Sequence, residues 1–289
     1  MTKRQFLVLA VGIFAVSWAG PLIRLADEAS FLFVAAARLA LASPVMLLLA
    51  LYRRNQRTIV IPSRQTLLMI LSGVALAAHF GFWVASISHT SIMASVALVA
   101  MSPLFAALGE WIFLSYRPSK AVFIGILIGA VGAAGLAWSD FGTGAIYGDL
   151  LAIIGAILAS VYLLLGRYTR QRIDLTAYGA IVYAVGASVL AVGLLIVGVN
   201  WTNYQLETYV FILFLALIPQ LIGHNAINYS LGYAPAAVVA LAILGEPVGS
   251  ALIAALLFEE IPSVIEACFG CVILLGVGIG VRDVEITKS

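Results

Sequence analysis

Residues 92–118 read IMASVALVAMSPLFAALGEWIFLSYRP. The apolar run is about 23 residues long, enough to cross a bilayer as a helix, and Pro103 stands near its middle. A proline there removes one backbone donor and strains the turn before it, so the run predicts a helix kinked near mid-membrane. Membrane helices tolerate such a residue where a neighbour or a cavity re-satisfies the freed carbonyl. The same design returns at residues 236–262, AAVVALAILGEPVGSALIAALLFEEIP. Pro103, Pro118 and Gly132 recur at one constant spacing as Pro247, Pro262 and Gly276. The chain is written twice.

Composition agrees with a membrane reading. Mean hydropathy is +1.12 and only 10% of residues are charged, against about 25% in soluble domains. Windows long and apolar enough to span fall at about 5–24, 31–52, 65–87, 92–114, 120–138, 149–168, 175–198, 207–229, 236–257 and 263–281. They leave no stretch for a soluble catalytic domain. The expectation is an all-α integral membrane protein of ten transmembrane helices, built as two five-helix repeats at 1–140 and 141–289. The break falls in the polar, Gly-rich SDFGTGAIYGD of 139–149.

Lys3 and Arg4 before an apolar run resemble the start of a cleaved leader. Gly12, Ser17 and Arg24, however, recur in step as Gly155, Ser160 and Arg167, so the first segment is expected to be retained. Cys268 and Cys271 form a C-x-x-C in an apolar helix, without the frame that redox or metal chemistry requires. They read as packing residues.

Of the 15 Lys and Arg, all but Arg24 and Arg38 fall on one side if the N-terminus is cytoplasmic. Asp27, Glu28, Asp140, Asp149, Glu207, Glu259, Glu260 and Glu266 fall on the other. This positive-inside pattern predicts two cytoplasmic termini and an even helix count. Five helices per repeat then force the second copy to enter from the opposite side. That inverted repeat is the usual architecture of a secondary transporter, with its site near the midplane between halves.

Candidate site residues follow from what is costly inside a span. His79 and His224 occupy matching places, and an ionisable ring there must face protein or water. His79, with Phe82 and Trp83 one turn on, reads as lining the cavity. His224 reads equally as cavity or as a bridge between helices, in a segment made polar by Gln220, Asn225 and Asn228. Glu246, before Pro247, sits at mid-span, where a carboxylate costs about 2.5–3.5 kcal/mol. It reads as a coupling or cation-binding group, or as a carboxyl bonded to a neighbouring helix. Glu110 is expected to snorkel toward Arg117 and Lys120. Arg38, about 10 Å into its helix, is either a clamp for a carboxylate or an anchor paired with Asp27 or Glu28. The anchor is the expectation taken forward.

Ser17 and Trp18 in the first helix, and Ser95 and Ser102 beside the fourth-helix kink, complete a small-polar and aromatic face. Pro103 and Pro247 are the expected hinges. Glycine ladders at Gly125, Gly129, Gly132 and Gly135, and at Gly276, Gly278 and Gly280, predict close helix packing within or between protomers. His79, His89 and His224 are scattered, so the sequence offers no catalytic or metal constellation, and neither an enzyme nor a cofactor is expected.

With its doubled repeat, its paired prolines and Arg38 in AAARLALA, the sequence resembles the drug/metabolite transporter superfamily, the ten-helix type with two EamA repeats. The resemblance covers nearly the whole chain and is most specific toward the aromatic amino-acid exporters of that superfamily. It implies a central cavity that contains His79 and takes in Met101, Ser160 and Leu163. Met101 and Leu163 depart from the large aromatics expected there, and Ser115 departs from the acidic residue that Glu259 supplies in the second half. The implied function is export of small amphipathic metabolites, aromatic or neutral amino acids, by alternating access. A drug or quaternary-cation/proton antiporter is the alternative. The implied partners are a small-molecule substrate and the lipid of a bacterial inner membrane, with no nucleic acid, and the protein is a monomer or a dimer.

Overall fold

The structure is a computed structural model that describes residues 1–54, 61–87, 89, 90, 95, 98–137, 146–259 and 261–282. Every regular element among the described residues is helical. The ten elements are α1 (Lys3–Leu25), α2 (Phe31–Arg54), α3 (Ser63–Ile87), α4 (Ser102–Leu114), α5 (Lys120–Ala137), α6 (Ile146–Arg170), α7 (Leu175–Val197), α8 (Leu206–Leu231), α9 (Ala236–Phe258) and α10 (Val264–Arg282). Eight are long and apolar enough to cross a membrane, and α4 and α5 are shorter apolar helices. Most of 92–97 and the 140/141 repeat boundary lie outside the described residues, as do Arg57, Glu260 and Lys288.

The two halves interlock. α2 packs along α7, α5 along α10, α3 along α6, α1 along α8, and α4 meets the start of α9. Each pairing maps onto itself or onto another when the halves exchange, as an inverted repeat requires. The α5–α10 seam lies within one chain: a Cβ on Gly125 would stand 2.5 Å from the Gly276 carbonyl oxygen, and one on Gly276 would stand 2.6 Å from that of Gly125. Any larger residue would force the backbones apart. Cys268 and Cys271 are exposed, on the outer face of α10, which corrects their reading as packed residues.

The prolines do not kink continuous helices. Pro103 stands in the first turn of α4, after a turn at Ala100–Met101, where its missing N–H costs no hydrogen bond. α9 is likewise two pieces, Ala236–Ile243 and Gly245–Phe258, joined at Leu244. Both second pieces end on a left-handed residue at the matching position, Ser115 with φ 54° and Glu259 with φ 59°. Two further distortions have no proline signature as plain. α1 breaks at Ser17–Trp18, and α8 widens into a π-helix over Ala216–His224, around Pro219.

The basic residues gather at one end of the bundle. There Arg53 pairs with Asp174 at 3.0 Å and Arg64 lies over the Tyr168 ring. Burial would raise the Asp174 carboxyl, but hydrogen bonds from the Thr176 side chain and backbone, with the charges of Arg53 and Arg170, hold it below the usual aspartate range. At the other end Glu28 accepts from Thr208 at 3.0 Å, and Thr90 donates to Asp149 at 2.8 Å. All seven residues from Ala236 to Ala242 are buried, whereas Ile253 alone is buried in the second piece of α9. The bundle is therefore closed at its basic end.

Candidate functional site

At the level of the two breaks, six helices turn polar groups toward one another. Arg38 of α2 is 3% exposed. Its Nε donates to Oε1 of Gln220 at 3.0 Å, and its guanidinium lies 4.7 Å over the Phe80 ring. Phe80 stands edge-on to His224, whose ring also meets Tyr162. Tyr162 donates to Asn228 Oδ1 at 2.6 Å, and Asn228 Nδ2 donates on to the Tyr183 hydroxyl. Glu246, in the first turn of the second piece of α9, is within electrostatic reach of Arg38. That position favours an anion, since the first N–H groups of a helix end carry partial positive charge.

His79 belongs to this cluster. Its Nδ1 donates to the Gly155 carbonyl at 2.9 Å, which leaves Nε2 of the neutral ring as an acceptor. Trp83 stacks parallel to the ring, with centroids 6.3 Å apart. A Cβ on Gly155 would be 3.5 Å from Trp83 N, ordinary van der Waals contact, so this position leaves room for a small side chain. Phe82 lies on the same turn of α3 and is partly buried.

The serines are spent on holding the broken helices. Ser160 Oγ lies 2.8 Å from both Ser102 O and Ala156 O, so α6 pins the start of α4. Ser250 Oγ donates to Ser17 O at 2.6 Å, which pins α9 to α1 at the α1 break, while Ser17 Oγ bonds within its own helix to Ile13 O. Ser95 donates to Ser86, whose own proton goes to Trp83 O. Met101 caps α4 and is partly buried, Leu163 is buried in the main core, and Trp18 packs on the cluster at the acidic end. His79 and Trp83 stack, His224 and Asn228 meet through Tyr162, and Glu246 faces Arg38 across space, while Trp18 and Leu163 serve packing.

Two expectations are corrected. Glu110 does not snorkel: it is 1% exposed and accepts from the Ala236 and Ala237 N–H groups at 2.6 and 3.1 Å. It caps the first piece of α9 from another helix, while Arg117 lies over Trp111. Arg38 does not pair with Asp27 or Glu28; it turns inward to Gln220, 182 residues away. Sequence alone could not find that partner, although the polar run from Gln220 to Asn228 marked its helix. A cavity of about 400 Å³, lined by Glu110, Phe113, Tyr116, Arg167, Tyr168 and Gln171, opens at the basic end of α4 and α6. Among the described residues no three His, Cys, Asp or Glu are placed to hold a metal ion.

A doubled helical bundle with two mid-span breaks around a buried polar cluster defines a membrane protein of the transporter type. The chain belongs to the EamA-like transporter family, whose model matches twice, over residues 4–138 and 146–281. An uncharacterized transporter of Archaeoglobus fulgidus is 25% identical over 289 residues, covering 96% of this chain and 97% of its own. One crystal structure of a protein shares the fold with a TM-score of 0.82 at 15% identity, covering 98% of this chain and 99% of the other.

Proposed function

We propose that this transporter exports a small amphipathic metabolite, an aromatic or neutral amino acid, by alternating access between the five-helix halves. The observation that carries the reading is the pair of breaks, at Met101 and Leu244, beside buried polar groups in an otherwise apolar bundle. Discontinuous helices at mid-span are where secondary transporters hold their cargo. Phe80, Phe82 and Trp83 offer apolar and aromatic surface, while His79, Arg38, Gln220 and Glu246 offer the few polar groups that would fix a zwitterion. The likeness of His79 to the cavity histidine expected in the aromatic amino-acid exporter YddG supports the substrate class and the outward direction. The charge asymmetry supports a bacterial inner-membrane location with both termini cytoplasmic. The mid-span carboxyl of Glu246 favours a second reading, a drug or quaternary-cation/proton antiporter. Purified protein in liposomes, loaded in parallel with labelled phenylalanine, leucine and tetraphenylphosphonium, separates them. Saturable amino-acid efflux is expected, and cation movement without amino-acid movement would overturn the proposal.

A further inference from the structure

We infer that Arg38, with Gln220 beside it, is the seat for a carboxylate of the transported molecule, so that the cargo is a carboxylate-bearing amphiphile and not a cation; this rests on the transport reading above. A charge buried at mid-span is costly, so it is kept for a reason or neutralised by a partner. Among the described residues Arg38 has no such partner. Its single hydrogen bond goes to a neutral amide, and the Phe80 face covers one side without using a donor. No carboxylate among the described residues stands within ion-pair distance, and Glu246 is felt only across space. Of five guanidinium N–H donors in a fixed fork, four remain.

The neighbours lack the same thing. Gln220 is 0% exposed, its Oε1 is committed to Arg38, and its Nε2 has no partner. Trp83 Nε1 and His224 Nδ1 are also buried without one. Three of the five unpartnered buried side-chain atoms among the described residues thus lie in this one cluster. An amide nitrogen and an indole nitrogen are donors only, so the cluster is short of acceptors. A carboxylate supplies acceptors and the negative charge together, in the planar shape that a guanidinium fork engages bidentately. Water would supply acceptors but leave the charge unbalanced. A bare cation would meet the field of Arg38. Glu246, on the facing half-helix, would take the ammonium end of a zwitterion.

The test uses the full chain in detergent, with binding read by intrinsic fluorescence and calorimetry, so that it does not depend on flux. The probes are phenylalanine, 3-phenylpropionate, phenylalaninamide and 2-phenylethylamine. The two acids are expected to bind at least about tenfold more tightly than the amide and the amine, because a site built to bond a group rejects the analogue without it. Gln220→Glu places a carboxylate on Arg38 from within the protein. It should keep or raise the melting temperature, cost the acids at least about tenfold and leave the amide unchanged. Arg38→Gln should lose the acid preference. If Arg38 merely balances Glu246, Gln220→Glu will bind acids as the wild type does, and Arg38→Gln with Glu246→Gln will restore acid binding. Either result overturns the inference, as does equal binding of acid and amide, or no acid binding, by the wild type. Acid binding without flux in liposomes would instead fault the transport reading alone.

Discussion

His79 and Asn228 are both polar residues at the centre of the bundle, and their hydrogen bonds give them different tasks. His79 uses one nitrogen to reach Gly155 O and keeps the other free as an acceptor. Asn228 is 0% exposed and spends its side chain on Tyr162 and Tyr183. His79→Ala is therefore expected to reach the membrane folded and lose substrate affinity. Asn228→Ala should lower thermal stability by about 1–3 kcal/mol, the usual cost of stranding buried partners. Flux and melting temperature measured on both variants check this, and wild-type flux in His79→Ala would remove that residue from the site. Glu246→Gln keeps shape and hydrogen bonding but cannot release a proton. In liposomes it is expected still to equilibrate substrate down its gradient, and an imposed pH step is expected to do little even in the wild type. Strong gradient-driven uptake that vanishes in the variant would establish the antiporter instead. At this scale the sequence marked His79, His224 and Glu246 because each is expensive where it stands. It could not mark the Arg38–Gln220 pair, nor the Glu110 cap on Ala236, because both join helices far apart in the chain.

Among the elements, α4 and α9 are the ones proposed to carry the motion. Ser160 of α6 donates to Ser102 O at the start of α4, Ser250 in the second piece of α9 donates to Ser17 O at the break in α1, and neither proline bends an intact ladder. Pro103 and Pro247 prevent the second piece from propagating backward into the first. Pro103→Ala and Pro247→Ala are expected to express normally and slow transport several-fold; wild-type rates in both would make the prolines packing features. Such breaks were legible because proline is a local signal. The break in α1 and the π-turn of α8 were not. Those helices touch where Gly12 faces Ala226 and Gly223 faces Val16, with a Cβ on either glycine 2.6–2.7 Å from its neighbour, and packing of that kind has no periodicity to read. α5 and α10 are the rigid counterpart. Gly125→Leu should destabilise by about 1–3 kcal/mol or more through overpacking. Gly278→Ala, with nothing within 4 Å of its added Cβ, should be neutral. Melting curves in detergent compare the two, and equal stability would mean that the seam is not as tight as drawn.

For the whole molecule, the doubled sequence foretold the two repeats of a helical membrane bundle, because a repeat is a global regularity written along the chain; how the halves interlock was not legible. The sequence could not foretell the state either. Ala236–Ala242 is buried on all sides under the Glu110 cap, with Arg167 bonded to Leu231 O and Arg170 to Asn228 O alongside. Entry from the basic side therefore requires these contacts to part. An inverted repeat reaches its other state by exchanging the conformations of its halves, so one central site would be offered to each side in turn. Trans-stimulation tests that claim most directly. Liposomes loaded with labelled phenylalanine are diluted into buffer with or without unlabelled phenylalanine outside. An alternating carrier is expected to release label faster, and saturably, when substrate waits on the far side, because a loaded site returns faster than an empty one. Release that is unsaturable and indifferent to external substrate would contradict the account.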